Sequence, residues 1–280
     1  MKIAVTGASG FIGQHVLAEL ARYPDEIVAV TRTASQLNDC IVATKIVEMD
    51  IDHPDSNCFD RMGRPDILIH LAWDGLPNYR SLHHFETVLP KHYRFLKILI
   101  EAGLPSLLVT GTCLEYGMQS GPLSEDMVTL PGNPYGYAKD ALRRQLEFLK
   151  STKSFTLTWA RLFYVYGEGQ PMNSLYPQLK DAILRKEPLF NMSGGEQLRD
   201  YLPIDEVARL LVALARNQAD SGIVNVCSGE PISVRKLVEG WLEENGWEIK
   251  LNLGYYHYPD YEPMAFWGER QKLDRCLESQ

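Results

Sequence analysis

No apolar run in the sequence approaches the roughly 20 residues a membrane-crossing helix needs, and Met1-Lys2 leads straight into a strand-like segment. Neither a membrane partner nor a signal peptide is therefore expected. Cysteine is sparse and ill-assorted. The five residues, Cys40, Cys58, Cys113, Cys227 and Cys276, are odd in number, widely scattered and contain no C-x-x-C pair. That argues against a disulfide framework or a zinc centre. It predicts free thiols in a reducing compartment, no bound metal and a cytoplasmic location. Positive charge is in deficit as well: 28 Lys and Arg against 36 Asp and Glu leave a formal charge of -8. With no basic stripe, a nucleic-acid partner is excluded, and any anionic ligand must be held by a few local cations and helix ends. Low-complexity tracts and internal repeats are also missing. At 280 residues the chain is long for one core and short for two independent domains.

What is present is organised around the first 22 residues. Lys2 to Thr6 is a β-branched apolar run, Gly7-Ala8-Ser9-Gly10-Phe11-Ile12-Gly13 follows at once, and Gln14 to Arg22 reads as a helix. Strand, glycine turn and helix in that order predict a dinucleotide site. Gly7 takes the tight turn, Gly10 admits a pyrophosphate to the backbone, and Gly13 lets the helix lie close to the strand. The helix N-terminus offers free N–H groups to phosphate. The spacing is G-x-x-G-x-x-G rather than G-x-G-x-x-G.

Further strands are expected at 26–31, 45–49, 66–72, 106–110 and 155–160, alternating with helical segments. This is the pattern of an α/β fold with a doubly wound parallel sheet. The second strand ends in Thr31-Arg32-Thr33, where an NAD-binding chain often carries an acidic residue. Arg32, helped by Ser9, suits a 2′-phosphate, so NADPH is expected ahead of NAD. Asp50, beside Ile51, is placed either to bind an adenine amino group or to cap its own loop. Ala72 ends the fourth strand with room for a cofactor, and His70 within that strand is expected to be buried and hydrogen-bonded. Residues 79–102 read as a helix interrupted at Pro90, with His83, His84 and His92 on an exposed or interface face.

Residues 166–280 read as a smaller substrate-binding lobe that shares one fold with the dinucleotide-binding part, 1–165. It contains helices at 174–185 and 206–216, the latter capped by Asp205, and a strand at 223–226. A further helix runs from Ser233 to a stop at Gly246. Tyr255, Tyr256, Tyr258 and Tyr261 either stack on a base or sugar or fill the core of this lobe.

Tyr135 and Lys139 stand four apart at the start of a helix and so project from one face. An ammonium beside a phenol favours the phenolate and is expected to lower its pKa from about 10 towards neutrality. Such a tyrosine exchanges protons with an alcohol or alkoxide near pH 7. Thr112, just after the fifth strand, is placed to bind the substrate oxygen. Tyr93 and Lys97 have the same spacing but lie mid-helix, with no hydroxyl residue to complete a site.

Thr6 to Gly13, Thr112 to Gly117, Pro134 to Lys139, Arg161 to Gly167 and Arg199 to Ala208 together resemble five ordered motifs of the extended short-chain dehydrogenase/reductase family. That family comprises nucleotide-sugar epimerases, dehydratases and reductases. The resemblance implies Thr112, Tyr135 and Lys139 as the catalytic set, Arg199 on the substrate diphosphate, and a homodimer through the helices at 79–102 and 135–150. Tyr164 stands where the family has Asn and Glu115 where it has Val, so Tyr164 is a departure within the substrate contacts. The cofactor-facing residues are Gly7, Ser9, Gly10, Phe11, Ile12, Gly13, Arg32, Asp50, Ile51, Leu71, Ala72 and Thr110, with Tyr135 and Lys139. Dehydratases of the family place Asp-Glu after the catalytic Thr; Cys113-Leu114 here argues against that chemistry. The expected activity is NADPH-dependent reduction of a nucleotide-linked 4-keto-6-deoxysugar. The alternatives are an epimerase with tightly held NAD, a reductase of a non-sugar carbonyl and a non-catalytic NADPH sensor.

Overall fold

The computed structural model describes residues 1–37, 43 and 45–278; Cys40 lies outside them. The first half runs β1 (Lys2–Thr6), α1 (Phe11–Leu20), β2 (Glu26–Thr31), β3 (Lys45–Glu48), α2 (Cys58–Arg61), β4 (Ile67–His70), α3 (Leu89–Glu101), β5 (Ser106–Thr112), β6 (Gly121–Leu123), α4 (Pro134–Lys150) and β7 (Thr156–Leu162). The second runs β8 (Tyr164–Tyr166), α5 (Leu175–Leu184), β9 (Leu189–Asn191), β10 (Leu198–Pro203), α6 (Ile204–Arg216), β11 (Gly222–Val226), β12 (Pro231–Ser233), α7 (Val234–Asn245), β13 (Lys250–Asn252), β14 (Phe266–Gly268) and α8 (Gln271–Glu278).

Seven strands form one sheet in the order β11-β7-β5-β4-β1-β2-β3, and every pairing in it is parallel. The strand order reverses direction between β1 and β4, which opens the crevice where ligands bind in doubly wound folds. Helices cover both faces, so β4 and β5 are buried along their whole length. On one face α1, α6 and α8 pack on Ile3, Val5, Ile67, Ile69 and Val224. On the other, α3 and α4 pack on Ala4, Leu68, Leu107, Val109 and Trp159. The strand expected at 223–226 thus serves as the edge of the main sheet. The smaller sheets are β12-β10-β8, β13-β9 and β14-β6, and Leu179, Phe190, Leu237, Val238 and Trp241 form a separate core.

Several local expectations need correction. Residues 79–102 are not one helix: a π-helical turn, His84–Val88, feeds α3, where Pro90 sits in the first turn. Proline lacks an N–H that this position does not need. Asp205 does not cap α6. The helix begins at Ile204, two residues before the expected start, and the Asp205 carboxylate lies 2.7 Å from His15 Nδ1 on α1 instead. Ser233 does cap α7, accepting from the Lys236 N–H at 3.2 Å, and Gly246 ends that helix at φ 62°.

Candidate active site

Gly7 adopts φ +70°, and a β-carbon there would sit 2.7 Å from the Ala72 nitrogen. At Gly13 a β-carbon would come within 2.1 Å of the Gly7 carbonyl oxygen, so only glycine lets α1 close onto the turn. Gly10, immediately before α1, has extended backbone, and its bare α-carbon borders an open cavity of about 210 Å³. Thr6, Gly7, Ser9, Gly10, Thr31, Arg32, Ile51, Leu71 and Ala72 line this cavity, together with Met49, Asp52, Trp73 and His92. A turn with glycine at positions 7 and 10, at the N-terminus of a helix, fits the pyrophosphate of a dinucleotide.

The expected cofactor residues divide. Ser9, Arg32, Ile51, Leu71 and Ala72 border the cavity. Asp50 does not: its carboxylate receives the His53 ring at 2.7 Å and the Asp52 N–H at 3.0 Å, so it closes its own turn. These bonds hold its pKa below the usual carboxylate value. Asp52, two residues on, takes the cavity position and pairs with Lys91 Nζ at 2.8 Å. Phe11 and Ile12 face a second cavity, described below. Gly13 serves packing, and the Thr110 carbonyl anchors Lys139.

The histidines also differ from expectation. His70 is buried as anticipated, with Nδ1 2.8 Å from Thr6 Oγ1 and Nε2 2.8 Å from His92 Nδ1. His84 and His92, expected on an exposed face, are buried too. The break before α3 turns both inward, and burial pushes both below the ordinary histidine pKa, His92 to about 3. Both are neutral at physiological pH.

Thr112 ends β5 and caps the short turn Cys113–Tyr116, its hydroxyl accepting from the Leu114 N–H at 3.3 Å. Glu115 returns the bond, accepting from the Thr112 N–H at 2.8 Å. Asn133 caps α4 through the Gly136 N–H at 2.8 Å, which points Tyr135 and Lys139 inward. Tyr135 and Thr112 line the same cavity. Lys139 Nζ donates to the Thr110 carbonyl at 2.9 Å and stands 4.0 Å from the centre of the Trp73 ring. So the structure brings Thr112, Tyr135 and Lys139 together. The expected pKa tuning is different, however. Burial raises the Tyr135 phenol well above its ordinary value and lowers Lys139 to about 7. Desolvation disfavours both charged forms and is the largest cause at each. In the chain by itself the phenol is held protonated. Tyr93 and Lys97 take no part; Lys97 pairs with Glu101 on the helix surface.

A second cavity, about 540 Å³, opens on the Tyr135 side. Thr112, Cys113, Tyr79, Phe163, Tyr164, Tyr166, Tyr176, Tyr201 and Trp241 line it. An outer cavity of about 260 Å³ shares Tyr164, Leu175, Tyr201 and Glu262 with it and adds Arg199, Gln197, Asn191 and Tyr256. Arg199 is buried. Its Nη2 lies 3.1 Å from Glu262 Oε2, and its guanidinium carbon lies 4.5 Å from the Phe266 ring centre and 5.8 Å from that of Tyr164. Its carboxylate partner is thus Glu262 rather than the adjacent Asp200. Asp200 instead holds the Ser228-Gly229 turn through two backbone N–H bonds of 2.7 and 2.9 Å. The Tyr164 hydroxyl is buried and makes no full hydrogen bond, with the Glu262 carboxylate as its electrostatic neighbour. Tyr255 and Tyr256 are exposed, so they do not fill a core.

Sequence reasoning missed Trp73, Asp52, His92 and Glu262. Trp73 had one available signal, an aromatic directly after the small Ala72; the strand expected to end at Ala72 ends at His70. Glu262 had none, since it meets Arg199 across 63 residues of chain.

Comparison with known proteins agrees with this geometry. The model of the "NAD dependent epimerase/dehydratase family" matches residues 3–227. The chain is 31% identical over 272 residues to a dTDP-6-deoxy-L-talose 4-dehydrogenase (NAD(+)) of Aggregatibacter actinomycetemcomitans, covering 96% of this chain and all of that one. It is 24% identical over 253 residues to a dTDP-4-dehydro-6-deoxyglucose reductase of Escherichia coli, covering 85% of this chain and 79% of that one. Among solved structures, MoeE5 in complex with UDP-glucuronic acid and NAD superposes with a TM-score of 0.83 at 27% identity, over 99% of this chain and 93% of that one. The glycine turn, the parallel sheet and the match over residues 3–227 make this chain a member of the NAD-dependent epimerase/dehydratase family, the extended short-chain dehydrogenase/reductase enzymes.

Proposed function

We propose that this chain is an NADPH-dependent reductase of a nucleotide-linked 4-keto-6-deoxysugar. The observation that carries the reading is the inner cavity, which joins Thr112 and Tyr135 to a wall of aromatic rings. Among the described residues lining it there is no lysine, arginine or histidine. A uronic acid would need a cation there, whereas a C6 methyl group needs only apolar surface. The two relatives named for deoxysugar C4 chemistry support the same class.

The nicotinamide, when bound, supplies or accepts the hydride at the sugar carbon. Thr112 would hold the substrate oxygen. Tyr135, protonated in its buried setting, would give that oxygen its proton, and Lys139, tied to the Thr110 carbonyl, would orient the dinucleotide. A phenol kept neutral carries the proton that the reductive direction consumes. Cys113 and Leu114 offer no acid or base to eliminate water from the sugar. Arg199 would reach the diphosphate, and Tyr164 would contact the sugar in place of asparagine. Arg32, with Ser9 beside it, would take a 2′-phosphate. The exposed Phe148 and Tyr137 on α4 fit a homodimer built on α3 and α4. The unpaired thiols of Cys58, Cys113, Cys227 and Cys276 fit a cytoplasmic setting.

The test is an assay of dTDP- and GDP-linked 4-keto-6-deoxyhexoses with NADPH and with NADH. Oxidation of the dinucleotide with none of them would overturn the reading. The second reading, an epimerase with tightly held NAD, draws on the NAD named in the MoeE5 complexes. It requires nicotinamide absorbance in protein purified without added cofactor.

A further inference from the structure

Trp73 stands three residues beyond β4 and borders the cofactor-side cavity. Its indole meets three groups besides Lys139. The Tyr135 ring meets it edge-on at 6.0 Å, the His92 ring lies at 4.8 Å, and the His84 ring is stacked at 6.4 Å between centres. The indole is also locked in orientation. Trp73 Nε1 donates to His84 Nδ1 at 3.2 Å, and His84 Nε2 lies 2.9 Å from the Asn78 carbonyl oxygen. A carbonyl only accepts, so Nε2 carries the hydrogen and Nδ1 is bare to receive the indole N–H. Both bonds hold together only with neutral His84.

Lys139 is fully buried, and its three N–H donors find one hydrogen bond, to Thr110. Among the described residues no carboxylate forms an ion pair with it. A buried ammonium without an ion-paired carboxylate is stabilised by any other negative potential in contact with it, and the π face of tryptophan is the strongest among the aromatic rings.

We propose that Trp73 is a positioning residue for the reaction: its π face, oriented by His84, is the counter-group that holds the Lys139 ammonium beside Tyr135. This rests on the reading of Tyr135 and Lys139 as the proton-transfer pair. The titratable groups that face Lys139 are Tyr135 on its own helix, His70 at the end of β4, and His84 and His92 on the segment after Trp73. Glu115 lies behind Thr112. The histidines are neutral. Glu115, engaged by Trp159 and Arg161, favours the ammonium from a distance, and the indole is the π face in direct contact with it.

The experiment places tryptophan carrying zero to four ring fluorines at position 73 of the full chain. Fluorine drains the π face while keeping the ring's shape, so folding is preserved. Lys139 is followed by NMR of lysine labelled at Cε, without cofactor or substrate. The expected result is a stepwise fall of its titration midpoint, in total by roughly half to one and a half pH units. The alkaline limb of the kcat profile should move by the same amount. A midpoint that stays put across the series overturns the inference. Full activity in Tyr135→Phe, with the fluorine series still moving Lys139, would instead remove the catalytic reading and leave the Trp73–Lys139 contact standing.

Discussion

Arg199 and Glu262 face each other at 3.1 Å where the inner and outer substrate-side cavities meet, with the Tyr164 ring beside them. The chain therefore places a carboxylate against the guanidinium that would take the diphosphate. A dianion entering this site must overcome Glu262. Glu262→Gln keeps a hydrogen-bond acceptor for Arg199 and removes the opposing charge. Binding of a nucleoside diphosphate, measured by calorimetry, should tighten by about 3- to 30-fold, on the scale of a charge-assisted contact. Unchanged or weaker binding would mean that Arg199 does not meet the diphosphate.

Tyr135→Phe keeps the ring packing against Trp73, Tyr79 and His84 and removes only the hydroxyl. Loss of a general acid of this kind lowers kcat by about 10²- to 10⁴-fold. Cofactor affinity should change little, because the glycine turn and Arg32 are untouched. Thr112→Val should act more mildly on kcat and raise KM, since it removes a substrate contact and leaves the proton donor in place. Steady-state kinetics on the two variants separates these roles.

The parallel sheet, the glycine turn and the Thr112–Tyr135–Lys139 set were legible because each depends on neighbours in sequence: a period, a spacing of four, a small residue at a strand end. The corrections concern what meets across the fold. Glu115 looked like a misfit for valine until Arg161 and Trp159, 46 and 44 residues away, closed on it. His92 read as exposed because nothing local shows that the chain before α3 turns it under Trp73. The Tyr135 pKa was misread because spacing reports the nearby charge but not the depth of burial, and here burial wins.

Arg32 follows β2, and Thr31 bonds Ser9 across the glycine turn at 3.3 Å, so three groups suited to a phosphate converge. If they read the 2′-phosphate, Arg32→Ala should raise KM for NADPH by about tenfold or more, the equivalent of one charge-assisted contact. KM for NADH should stay within about twofold. Equal losses with both dinucleotides would assign Arg32 to the shared adenosine and take away the NADPH preference.

Glu115 and Arg161 form an ion pair of 2.7 Å with both side chains fully buried. The two Nη groups of Arg161 have no hydrogen bond, and its guanidinium carbon lies 4.5 Å from the Tyr116 ring centre. Removing only Glu115 leaves an uncompensated buried cation, which typically costs about 3–5 kcal/mol. Glu115→Val should therefore be strongly destabilised in denaturant unfolding, although valine is what the family carries there. Pairing it with Arg161→Leu removes both charges and should recover most of the loss. A double variant as unstable as the single one would show that Glu115 matters chiefly for the Thr112 and Trp159 N–H groups it accepts from.

Lys139 supplies the last test through its buried setting. Its folded pKa, about 7, lies below the ordinary lysine value of 10.5. Below pH 7 both folded and unfolded chains carry the proton, and the folded state bears the full cost of the buried charge. Between about 7 and 10.5 the unfolded chain keeps the proton that the folded one has lost. Stability from this group therefore rises with pH across that window, by about 1.4 kcal/mol per pH unit at most. Lys139→Met removes the ionisation and keeps the stem. Without cofactor, the variant should melt above the parent at pH 6, and the gap should close as pH approaches 10. Melting curves that run parallel from pH 6 to 10 would mean that the Lys139 ammonium is not strained by burial, and that the Thr110 carbonyl and the Trp73 face compensate it fully.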